Sequence, residues 1–149
     1  MGWQPQRYYR AALARIQEAQ HLHANGYFSL AMYVSGLAVE CMLRAYRLLD
    51  DQTFDERHDL LLLWRRTDLA NVNNEYYAPI YTALATVVVL WRNDYRFNSD
   101  DLMRSRLKKV GKDRGIKGDF LKYNSSKLYN AAAEIIRLGT QRWKRLNRK

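Results

Sequence analysis

The chain has 149 residues, of which 48% are hydrophobic and 27% charged. This composition excludes intrinsic disorder and suits one domain long enough to bury most of its apolar surface. Cys41 is the single cysteine, so an intramolecular disulfide is excluded and a reducing, cytoplasmic setting is expected. The apolar run 27–39 is interrupted by Ser29, Ser35 and Gly36 and stopped by Glu40, which is too short for a bilayer span. With no signal-peptide pattern either, no membrane partner is expected.

The first helix is predicted over 6–24, where Tyr9, Ala12, Leu13, Ile16, Ala19, Leu22 and His23 recur at three and four residues and Asn25-Gly26 supplies a stop. The second, 26–50, is hydrophobic nearly all round, as a helix at the centre of a bundle must be. Its one polar seam gathers Ser29, Tyr33, Gly36, Glu40, Arg44 and Arg47 into a strip about 80° wide. That strip is either a solvent face, with Glu40–Arg44 an ordinary pair worth about 0.2–0.5 kcal/mol, or the floor of a polar groove.

Asp50 and Asp51 open a loop, and Asp55 is placed to cap a third helix over 56–69. The fourth has the cleanest period, with Tyr77, Ile80, Tyr81, Leu84, Val87, Val88, Trp91 and Tyr95 on one face, although Pro79 leaves its start open. Val87, Val88 and Val89 belong to this helical period and not to a strand. At its end Arg92 and Arg96 share a face, one turn apart. The apolar surface at 87–91 exceeds what one bundle face covers, which predicts a homodimer in which Arg92 of both subunits converge in one cleft.

Beyond Phe97, residues 98–101 form a cap, 102–110 a short basic helix, and 111–118 a basic loop with Gly111, Gly115 and Gly118 that lacks Walker spacing. Ser125 or Ser126 is predicted to cap the last helix, whose seam is Leu128, Ala132, Ile135, Gly139, Trp143 and Leu146, with Arg137, Lys144 and Arg148 on another side. The fold class is therefore all-α. An up-and-down bundle of four to five helices is expected as a single domain over 1–149, with the basic segment 99–124 inserted before the last helix.

The net charge of +10 is divided unevenly. Residues 1–98 hold 10 Arg and no Lys against 10 acidic residues, whereas 99–149 hold 15 basic against 5 acidic, with all eight lysines from Lys108 onward. A basic third on a neutral body suits a polyanion, most simply nucleic acid. Lys108, Lys109, Lys112, Arg114 and Lys117 are its candidate RNA-binding residues. His21 and His23, two apart on a helix, face different directions and make a poor metal pair, so neither a metal nor a cofactor is expected. His58 stands at the start of the third helix and can act as a base if the fold brings it to Arg92.

In order along the chain stand the opening RIQEAQHLHANGYFSLAMYVSGLAVECMLRAY, the Ala38-x-Glu40 with Arg44 four on, His58 leading Leu60 to Leu63, and Arg92-Asn93. On these residues the chain resembles the HEPN domains, small helical bundles of prokaryotic defence and toxin–antitoxin systems. The resemblance covers roughly 10–97 and the last helix. It implies, for nuclease members, metal-independent RNA cleavage by an Arg, often followed by Asn, and a His after four to six intervening positions. Arg92 and Asn93 match the start, but 97, 98 and 99 are Phe, Asn and Ser, and counting from Arg96 also finds no His. Arg96-Phe97 is similar to the Arg-Tyr pair of non-nuclease members, some of which partner small nucleotidyltransferases.

Three functions fit. The preferred one is a non-catalytic or degenerate HEPN module that binds RNA or a nucleotide, with Arg92, Arg96, Glu40 and Arg44 as the anion site and the basic third as the RNA surface. The second is a ribonuclease toxin with a rearranged site of Arg92, Asn93 and His58; the absent His counts against it. The third is a protein–protein adaptor for a small nucleotidyltransferase or for a second copy, and the concentrated Lys and Arg count against that.

Overall fold

The computed structural model describes residues 4–51 and 58–147; the predicted cap Asp55 lies outside them. Six helices follow one another: α1 (Pro5–Ala24), α2 (Phe28–Asp50), α3 (Leu60–Arg65), α4 (Tyr77–Leu90), α5 (Asp100–Lys109) and α6 (Phe120–Leu146). Short 3-10 turns at Asp68–Ala70 and Asn93–Phe97 follow α3 and α4. The fold is thus an all-α bundle of four long helices and two short ones, with no strand among the described residues.

Helix α2 is central because nearly its whole circumference is apolar. Met32, Ala38, Val39, Met42, Leu43, Ala45 and Tyr46 are buried almost completely, against α1 on one side and α6 on another. The predicted seam of α6 supplies Leu128, Ala132, Ile135, Gly139 and Trp143 to this core. The Tyr46 hydroxyl donates to the Gly139 carbonyl at 2.6 Å, and Trp143 stacks on Tyr9 of α1 at 4.7 Å between ring centres. A single hydrophobic cluster takes residues from all six helices.

Three sequence expectations are corrected, for the third helix, the buried stripe of the fourth and the start of the last, and the start of the fourth, left open by Pro79, is fixed. The third helix is one turn and a half long, capped by Asp59, whose side chain accepts from the Leu62 amide. Helix α4 begins at Tyr77, so Pro79 lies in its first turn, where a missing amide hydrogen costs nothing. Its buried stripe is Ile80, Ala83, Leu84, Val87 and Leu90, facing α6, and this leaves Tyr81, Val88 and Val89 exposed. Helix α6 starts a turn and a half before Ser125: Asp119 caps it, accepting from the Leu121 and Lys122 amides, and Ser125 is buried in a 2.8 Å hydrogen bond with His23 Nδ1. Burial and, secondarily, Lys122 hold His23 below the usual histidine value.

Among the described residues only α2 is long and apolar enough to cross a bilayer, and 67% of its most apolar stretch is buried inside the bundle.

Candidate functional site

Helix α4 does not carry Arg92 and Arg96 on one face. It ends at Leu90, and Trp91 leaves the helix with φ −119° and ψ 139°, followed by an equally extended Arg92. The cause is tertiary. The Trp91 ring settles over Gly36 of α2, where a Cβ would lie 2.0 Å from Cδ1, and its indole N–H donates to the Tyr33 carbonyl at 3.0 Å. Only a residue without a side chain admits the indole here. The chain then turns through Asn93–Phe97, with Tyr95 buried and Arg96 exposed, its guanidinium 4.7 Å from the centre of the Phe97 ring.

This exit places Arg92 and Asn93 opposite the start of α3. His58, Asp59, Leu60, Leu61, Val88, Trp91, Arg92 and Asn93 line one cleft of about 330 Å³, within the usual range for a small-ligand site. The three residues named as a rearranged catalytic set therefore meet in one place. Arg92 is largely exposed, and its only ion-pair partner among the described residues is Asp94 at 3.5 Å, a pair weakened by solvent, while Asp59 lines the same cleft.

The polar seam of α2 is largely buried and is not a solvent face, and two of its residues, Gly36 and Glu40, touch residues of the cleft. Ser29 is buried against Asp100, Gly36 lies under Trp91, and Glu40 is only 5% exposed. The Glu40 carboxylate is shared: Oε2 accepts from Arg44 Nε at 3.0 Å, and Oε1 meets His58 Nδ1 at 2.7 Å. A buried carboxylate bonded to one ring nitrogen fixes the ring's orientation and leaves Nε2 for a ligand. Glu40 and Arg44 thus do not line the cleft as a direct anion site; Glu40 holds His58 instead. The Glu40–Arg44 spacing was readable in the sequence, whereas the Glu40–His58 contact joins separate elements and left no local signal.

Five arginines of the basic third are held in ion pairs. Arg104 pairs with Asp119 at 2.8 Å, Arg106 with Asp94 at 3.2 Å, Arg142 with Asp68 at 2.7 Å and Arg137 with Glu134 at 2.5 Å; Arg145 pairs with Glu75. By contrast, no described lysine pairs with an acidic side chain of the described residues. Lys108, Lys109, Arg114 and Lys117 are exposed around the α5–α6 loop, where Gly111, Gly115 and Gly118 all take positive φ. Lys112 is half-buried; its carbonyl accepts from Asn124, and it borders a second hollow with Lys127, Thr86 and Val89. Val88 and Val89 stand side by side on the last turn of α4, so the lysine-edged hollow and the Arg92 cleft flank the same turn. His21 and His23 join no metal-binding cluster among the described residues.

The family model of the HEPN domain matches residues 5–138, nearly the whole chain. The chain belongs to the HEPN domain family. No curated protein and no solved structure matches it. A HEPN domain ties this helical bundle to proteins that act on RNA or nucleotides or cleave RNA. Here the cleft that joins Arg92 to His58 draws its histidine from the start of α3, not from the residues after Arg92.

Proposed function

We propose that this HEPN domain binds single-stranded RNA, seating one backbone phosphate in the cleft between His58 and Arg92 while the lysines of the α5–α6 segment draw in the rest of the strand. The convergence of Arg92, Asn93 and His58 in one cleft supports this. A guanidinium and an amide offer several donors to a phosphate's oxygens, and unpaired exposed lysines release counterions without demanding a sequence. Fluorescence anisotropy with a labelled single strand tests it. Binding should weaken steeply with salt, and Arg92→Ala should weaken it further at every salt; no binding at low salt refutes the proposal.

The Glu40–His58 contact favours a second reading, in which the same cleft cleaves RNA without a metal. His58 Nε2 takes the proton of a 2′-hydroxyl, the 2′-oxygen attacks phosphorus, and the P–O5′ bond breaks to give a 2′,3′-cyclic phosphate. The 5′-oxygen leaves as an alkoxide protonated by water, and Arg92 stabilises the charge on the phosphoryl oxygens. Incubation of labelled RNA with excess chelator decides between the two: cyclic-phosphate products lost in His58→Ala favour cleavage, and an intact strand that remains bound favours binding alone.

A further inference from the structure

The Arg92–His58 cleft does not end at Val88. Leu61 and Val88 also belong to an adjoining apolar hollow of about 110 Å³ that continues along α4 to Leu84, Ala85 and Tyr81. Tyr81 is 51% exposed, although it lies within a long apolar helix. Its ring is held edge and face by others. Tyr77 stacks on it at 6.0 Å and 19°, and Trp64, itself buried, meets it at 5.7 Å. A half-exposed ring fixed in this way has lost its rotational freedom before any ligand arrives, so stacking on it costs little further ordering.

The geometry points to Tyr81 as a stacking platform for a nucleobase, with Leu61 and Val88 as the apolar walls between that base and the phosphate at Arg92. The inference rests on the phosphate reading of the cleft and extends it to the class of RNA. Tyr81 and Val88 are two helical turns apart, about 10 Å along the axis. Arg92 follows four residues after Val88, past the end of the helix, and a short, extended oligonucleotide reaches from the base subsite to it. A ring stacked on tyrosine must be unstacked from its own neighbours, so the subsite selects single strands over duplexes. The occupant is a base and not another apolar side chain because the hollow shares Leu61 and Val88 with the cleft that holds the Arg92 guanidinium. An RNA strand supplies an apolar face and an anion at that spacing together.

Tyr81→Ala should lower the affinity for a single-stranded oligonucleotide by about 5- to 150-fold, with Tyr81→Phe near wild type because its ring is retained. The same substitution should leave unchanged the binding of an abasic oligonucleotide of equal length and of a duplex, which meet only the cationic groups. Equal affinity of Tyr81→Ala and wild type for the single strand overturns the inference while the phosphate site stands, and so does an equal loss with the abasic strand, which would mark Tyr81 as merely structural. If light scattering shows wild type as a dimer that Tyr81→Ala dissociates, this face is an interface between two copies and the base subsite is refuted. Failure of wild type to bind any of the three nucleic acids sinks both the phosphate site and the base subsite.

Discussion

Replacing Gly36 with alanine separates the observed seam from a solvent-facing one by sign. On an exposed helix interior the change is favourable by about 0.5–1 kcal/mol, since alanine loses less backbone entropy and has the higher helix propensity. In this bundle the added methyl would stand 2.0 Å from Trp91 Cδ1 and 2.2 Å from Cγ and Nε1, inside a ring that is only 5% exposed. Relieving such an overlap costs typically about 1–3 kcal/mol, and more if the indole leaves its slot and its bond to the Tyr33 carbonyl. Subtracting the propensity gain leaves a net destabilisation of about 0–2.5 kcal/mol, centred near 1 kcal/mol, or up to roughly 10 °C in Tm for a domain of this size. Urea unfolding followed by tryptophan emission and circular dichroism measures it. Because Trp91 leads directly into Arg92, RNA affinity should fall with stability, and a Gly36→Ala, Trp91→Ala double-mutant cycle should show coupling above about 0.5 kcal/mol. A Gly36→Ala protein more stable than wild type refutes the account of how α4 ends.

Neutral replacement of Lys108, Lys109, Lys112 and Arg114 should flatten the slope of log K against log salt by about 0.7 for each single-strand phosphate that is no longer neutralised, whereas Arg92→Ala should remove about one phosphate's worth; titrations at four salt concentrations distinguish them. Asp119→Ala should cost about 1 kcal/mol through removal of the α6 cap. The Arg104 hydrogen bond, chiefly, holds the Asp119 carboxyl below its usual value, so its contribution is present above about pH 4 and fades as pH falls through the folded-state value. Denaturant melts at pH 7 and pH 3 should therefore show a smaller wild-type-to-mutant gap at pH 3. Burial, with Glu40 adding to it, pushes the Cys41 thiol from 9.0 up to about 11; a buried thiolate is disfavoured, so stability should fall as pH rises from about 9 toward 11. At pH 8 a thiol reagent should modify the native protein far more slowly than the unfolded one; equal rates would contradict the burial.

The helical class, the end of α1 and the existence of α5 were legible because their signals are local: a 3.6-residue period, Asn25-Gly26, and a capping segment over 98–101, within which Ser99 accepts from the Leu102 amide and starts the helix two residues earlier than expected. The end of α4 was not, since the apolar period runs on through Tyr95 and only the slot over Gly36 turns the chain aside at Trp91. The start of α6 was hidden for a related reason: the glycine run 111–118 reads as one long loop, and Asp119 resembles any other loop acid until its two amide partners are seen. Arg92, Asn93 and His58 were each nameable from residue type. Their meeting was not, because it depends on where α3 begins and α4 stops. Gly36 in an otherwise polar strip was the one local hint that something large presses on α2 there.

The position of α2 has a consequence for synthesis on the ribosome. Its first cover, α1, precedes it, so one flank is closed as soon as the hairpin folds, but the opposite flank waits for α6, which begins at Phe120. About 70 residues must still be added, which takes about 4–14 s at ordinary elongation rates. Throughout that interval the most bilayer-like stretch of the chain presents an uncovered apolar side to chaperones, membranes and other nascent chains. Substitutions that delay α6 docking should therefore lower the yield of folded protein more than they lower its stability once folded.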